Sequence, residues 1–198
     1  MAHNFSMLDL MNAALMTEGF EEIVAADDGS DEWRLLSRNW PLIVEAELED
    51  GMYSFSRKEA VLLSRQPGLF GFADAYIVPA NALHVRRVWV ADGRGGRVSD
   101  FPWGQDNTRV FVDWADGVVI EYLEAADPSF WTANFSRGVQ ARLQAVLLNF
   151  REEKSAALEM DKQAEIYFQR ARTKSSKSRS ATEQYKESAY RRARFGRG

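Results

Sequence analysis

The chain has 198 residues, 45% hydrophobic and 12% aromatic, with a formal net charge of −4. That content supports a packed core and excludes a chain disordered throughout. With no cysteine, a disulfide framework, a thiolate metal site and a cysteine nucleophile are excluded.

No apolar run approaches the roughly 18 residues of a membrane span. The first six residues have neither the basic nor the apolar region of a signal peptide, so a protein made and kept in the cytoplasm is expected. The length predicts one domain plus an extension: a body over 1–172 and a C-terminal arm over 173–198.

Ser6 and Asp9 have capping-box spacing, and Met7, Leu10, Met11, Ala14 and Leu15 follow at helical intervals. A first helix is predicted over 6–17, ended by Gly19. After the turn cluster at 27–30, Trp33, Leu36, Trp40 and Ile43 mark a second helix over 31–49. Pro41 inside it should kink or split it, because proline lacks an N–H and crowds the preceding turn.

The period then changes. Residues 83–90, 109–114 and 118–123 are rich in β-branched and aromatic types, and 58–63 reads as a further short strand. Asp116–Gly117 is a hairpin signal between the last two main strands. Together these predict a sheet of three or four antiparallel strands over about 58–124. Asp127–Pro128 looks like the start of a long helix over 128–149, with Asp at the N-cap and Pro in the first turn. Trp131, Phe135, Val139, Leu143 and Leu147 form its apolar stripe. A fourth helix over 152–172 has a weaker stripe through Ala157, Ala164, Phe168 and Ala171. The expected class is α+β: a helical bundle with a small inserted antiparallel sheet and an extended C-terminal arm.

Signs of chemistry are few. His3 is terminal, and His84 alternates with apolar residues in a strand, the usual setting of a structural or solvent-facing histidine. The acidic runs lack the Gly-centred ligand spacing of a cation loop. The Gly-rich stretch 93–96 lies between strands, without the Lys-Ser/Thr and helix of a phosphate cradle. No catalytic residue, cofactor or metal site is expected. Trp103, in Phe101-Pro-Trp-Gly104, reads as a loop residue and a possible interface anchor, since tryptophan is enriched at interface hot spots.

The end of the chain is distinctive. Residues 170–198 hold ten Lys/Arg and two Glu, a net of +8, so residues 1–169 carry −4 − 8 = −12. The tail has three readings: neutralising nucleic-acid phosphates, docking on a protein partner, or solubilising the chain. Tyr185, Tyr190 and Phe195 among the basic residues favour docking.

The order of segments resembles the phage head–tail adaptor family, also called tail tubular protein A or head–tail connector proteins. The resemblance covers about 7–172. It rests on the Asn12-Ala-Ala-Leu15 core of the first helix, Trp40-Pro41, Met52-Tyr-Ser-Phe-Ser56, Tyr76-Ile-Val-Pro-Ala-Asn-Ala-Leu-His-Val85, and Asp127-Pro-Ser-Phe-Trp131. Asn81 stands where the family commonly has Asp, and Val78 where it has Leu. The resemblance implies a non-enzymatic virion protein forming a ring, usually of twelve copies. The ring joins portal to tail or nozzle and extends the channel through which DNA passes, with no cofactor and no membrane. It also implies portal docking by the arm, with Tyr185, Tyr190, Arg191, Arg192, Arg194 and Phe195 as the contact residues. The rival reading is a cytosolic nucleic-acid-binding protein that uses the basic tail.

Overall fold

The computed structural model describes residues 5–91 and 96–177. The chain is mixed α+β, with four helices and two antiparallel sheets. The helices are α1 (Met7–Thr17), α2 (Asp31–Gly51), α3 (Ala133–Phe150) and α4 (Lys154–Lys177). Between α2 and α3 lie β1 (Arg57–Leu62), β2 (Arg65–Pro67), β3 (Asp74–Ile77), β4 (Ala82–Ala91), β5 (Arg97–Val98), β6 (Trp103–Gln105), β7 (Arg109–Val112) and β8 (Val118–Glu124).

α1 starts as its sequence dictates. The Ser6 hydroxyl accepts from the Asp9 N–H, and the Asp9 carboxylate accepts from the Ser6 N–H at 2.8 Å, so two orphan donors are satisfied reciprocally. Its far end is tied to α3 by Arg151, which donates to the Glu18 carbonyl at 2.7 Å and lies over the Phe20 ring.

α2 is not split at Pro41 and runs as one helix to Gly51. Pro41 is on the exposed side, where the carbonyl that loses its donor can turn to water. Tertiary packing holds both flanks, with Trp40 stacked on Trp131 at 5.6 Å and Val44 and Leu48 buried. Met52, at φ 49°, ends the helix in the left-handed conformation.

The long helix also starts later than predicted. Asp127–Pro128 opens only a 3-10 turn over Pro128–Phe130, with the Asp127 carboxylate accepting from the Ser129 N–H at 2.8 Å. Trp131 is buried and donates its indole N–H to the Ala126 carbonyl, which pins the chain before Thr132 caps α3. α4 in turn runs five residues past the expected stop at 172. Apolar periodicity ends at Ala171, but polar contacts to α2 and its following turn hold the remainder.

The four helices share one apolar core. At its centre Phe135 is fully buried and meets Tyr53, Phe55 and Trp131 edge-on, with Phe168 tilted at 5.5 Å. Aromatic burial of this kind contributes roughly 1.5–3 kcal/mol per side chain. α3 and α4 approach closely at Gly138, where an added Cβ would lie 2.5 Å from the Phe168 ring.

The predicted sheet of three or four strands is two four-stranded sheets, ordered β1-β8-β4-β5 and β2-β3-β7-β6. β7 and β8 do not pair with each other, so Asp116–Gly117 is no hairpin turn; the chain crosses there from one sheet to the other. The Tyr76 hydroxyl holds the crossing, donating to the Trp114 carbonyl at 2.7 Å and accepting from the Gly117 N–H at 3.2 Å. Gly117 has φ 86°, and a side chain there would meet Leu63 at 2.8 Å. Side chains from both sheets form a second core, including Val88, Ile120 and Tyr122 from one and Tyr76, Val110 and Val112 from the other. At the other end of β4, Leu83 packs on the helical core.

Candidate interaction surfaces

The end of α4 is seated on the body by an ionic cluster. Glu47 projects from the buried stripe of α2 and is only 8% exposed. Arg172 donates to both of its carboxylate oxygens, from Nη2 at 2.7 and 2.8 Å and from Nε at 3.1 Å. The Tyr53 hydroxyl donates to the same carboxylate. Arg172 Nη1 donates to Glu165 at 3.0 Å. Glu165 in turn lies 3.8 Å from Arg142, which bridges to Asp161 at 2.7 Å. One turn beyond Arg172, the buried Ser175 hydroxyl accepts from the Ser54 N–H at 2.7 Å.

Burial pushes the Glu47 carboxyl above its usual range, and the hydrogen bonds from Tyr53 and Arg172 pull it part of the way back. Burial, reinforced by Glu47, raises the Tyr53 hydroxyl well above its ordinary value, so it keeps its proton and acts as a donor. For Arg172, burial opposes the charge, but the hydrogen bonds to Glu47 and the neighbouring carboxylates outweigh it and raise its pKa. Glu47, Arg172 and Ser175 were not singled out in sequence, and Tyr53 entered only as part of the segment 52–56. One signal existed: Glu47 shares the buried stripe with Val44, Leu48 and Gly51, and a carboxylate there must find a partner.

Charge is strongly polarised along the chain. Residues 5–56 hold twelve Asp/Glu against two Arg, whereas 170–198 hold ten Lys/Arg against two Glu. Exposed acids run along the two ends of α2, from Asp27, Asp28 and Asp31 to Glu45, Glu49 and Asp50.

A further surface is apolar. At the end of the sheets away from the helices, the β2–β3 loop presents Phe70, 80% exposed, beside exposed Leu69. Phe70 has φ 56° and stacks edge-on over Phe111 at 5.3 Å. The Asp113 carboxylate accepts from the Ala73 N–H at 2.7 Å, tying this loop to the crossing that carries Trp114 and Gly117. Leu63, which packs near Gly117, is also exposed.

Trp103 lies in β6, not in a loop. It pairs with Val112 and is half-buried against the inter-sheet core. His84 is exposed on β4, its Nδ1 3.1 Å from the Gln105 amide. The arm residues Tyr185, Tyr190, Arg191, Arg192, Arg194 and Phe195, and His3, lie outside the described residues. Among the described residues no group of three or more His, Asp or Glu is placed to hold a metal ion, and no helix is long and apolar enough to cross a membrane.

The residues of the family-like segments have scaffold roles. Asn12 hydrogen-bonds both backbone groups of Ile23, at 2.9 and 3.0 Å, and folds the chain back onto α1. Tyr76 pins the sheet crossing, and Trp131 fills the helical core. No protein-family model matches the chain, and no curated protein sequence matches it.

Proposed function

We propose that the chain is a non-enzymatic head–tail connector: a virion protein that joins portal to tail and lines the channel for DNA. In this reading α1–α4 act as one bundle, and the basic arm of 173–198, whose first five residues belong to α4, docks on the portal. The observation that carries the reading is the seating of α4. The helix end is held to the body by the part-buried Arg172–Glu47 pair and the Ser54–Ser175 hydrogen bond, and directly beyond it the chain continues into a basic, aromatic segment. A body that anchors the root of such a segment is built to reach a neighbour.

Three further points support it. The segments that resemble the adaptor family each perform a scaffold task, which suits a structural protein. The acidity of residues 5–56 would repel DNA phosphates if it faces a lumen. The exposed apolar tip at Phe70 suits contact with a second protein, and we assign the tail-side contact to it. The test is attachment to isolated portal rings by the full chain and by a chain ending at Lys177. Loss of attachment on truncation, with the body still folded, supports the connector. Loss of salt-sensitive DNA binding instead would support the nucleic-acid reading.

A further inference from the structure

Within the described part of α4, Ala171 is the last buried apolar side chain. The next residues are Arg172-Thr-Lys-Ser-Ser176, of which threonine and serine are poor helix formers that compete for backbone groups. That competition is visible: the Thr173 hydroxyl donates to the Gln169 carbonyl at 2.9 Å, and the Ser176 hydroxyl to the Thr173 carbonyl at 2.9 Å. Neither propensity nor apolar burial therefore holds this turn and a half. Directional contacts do, through Arg172 to Glu47 and Ser175 to Ser54.

The two sides of the ionic contact are unequal. The Arg172 side chain is about one-third exposed and reaches water, whereas that of Glu47 is 9% exposed. Arg172 can leave and be hydrated. Glu47 is poorly hydrated where it sits, so without a cationic donor its charge is disfavoured. Tyr53 supplies one neutral donor, and Glu165 orients the guanidinium from the other side.

We infer that Arg172–Lys177 is a detachable clip, seated by Glu47, Tyr53 and Ser54, that fixes where the C-terminal segment begins its path. Seating and release are linked, because Arg172 and Ser175 lie on one helical turn. The remainder of α4 is unaffected, since Phe168 and Ala164 hold it in the helical core. The inference stands whichever partner the segment meets.

Hydrogen–deuterium exchange on the full chain tests it, comparing wild type with Arg172→Met, Glu47→Gln and Ser175→Ala. Expected is a rise of about tenfold or more in exchange at amides 169–177 for the first two variants, to rates near those of unstructured backbone, while amides 157–165 keep their protection apart from the common shift set by the lower global stability. Ser175→Ala removes one hydroxyl, leaves the ion pair intact and guards against a variant that does not fold. It should raise exchange at the Ser54 amide and at 173–177. Unchanged exchange at 169–177 in the first two variants, protection at 169–177 that still matches that of 157–165, or an unaffected Ser54 amide in Ser175→Ala would overturn the clip.

Discussion

Arg172 Nη2 hydrogen-bonds both carboxylate oxygens of Glu47, at 2.7 and 2.8 Å, joining the end of α4 to α2 across 125 positions of sequence. Replacing Arg172 with Met leaves a buried carboxylate with Tyr53 as its remaining donor and should cost about 2 kcal/mol. Replacing Glu47 and Arg172 together with Met removes both charges and should cost less than the sum of the single changes. Urea unfolding of the two single variants and the double variant measures this. A double variant as unstable as the sum would mean that the two residues act independently.

Gly138 tests the packing of α3 on α4. Alanine there would gain about 1 kcal/mol of helix propensity. Its Cβ would meet the Phe168 ring at 2.5 Å, and that ring is packed against Phe135 in the helical core. Overpacking should win, with a net loss of about 1–2 kcal/mol. A thermal midpoint at or above wild type would contradict the close approach.

Asp106 carries a pH-dependent contribution. Its carboxylate accepts from the backbone N–H of Thr108 and Arg109 at 2.8 and 2.7 Å, and from the Arg109 guanidinium. Led by the Thr108 backbone bond, these contacts lower its pKa from 3.8 to about 2. A carboxylate with a depressed folded pKa contributes stability that is fully present above its unfolded value and is lost as pH falls through the folded value. The stability gap between wild type and Asp106→Ala should therefore be constant above about pH 4.5 and shrink towards pH 2. Urea midpoints at pH 6 and pH 2.5 check it; a gap that widens in acid has the wrong sign.

Phe70 separates fold from contact. Asparagine tolerates the left-handed conformation that Phe70 adopts, which offsets the lost stack on Phe111. Phe70→Asn should shift stability by less than about 1 kcal/mol. In the connector reading it abolishes attachment of the tail-side protein while portal attachment persists. Retained tail-side attachment would remove the role assigned to the tip.

The helices were legible where local signals agree: the Ser6–Asp9 capping box, and the apolar stripe from Phe135 to Leu147. Their ends were not, because tertiary contacts set them. Trp131 pins the chain before α3 can start, and Glu47 and Ser54 hold α4 past its last apolar residue. β2, β3, β5 and β6 span only two to four residues each, too short for periodicity to register. Asp116–Gly117 misleads because turn chemistry is local, whereas the choice of partner strand depends on distant packing around Tyr76. Of the surfaces, the charge asymmetry was readable from composition. The Glu47–Arg172 seat was not, because its members come from opposite ends of the chain.

Electron microscopy of portal rings mixed with the full chain, beside the same rings mixed with the chain ending at Lys177, tests the central claim most directly. The connector account predicts a second ring of density under the portal with the full chain and bare portals with the shortened one. Bare portals in both mixtures, together with salt-sensitive DNA binding that truncation removes, would contradict it.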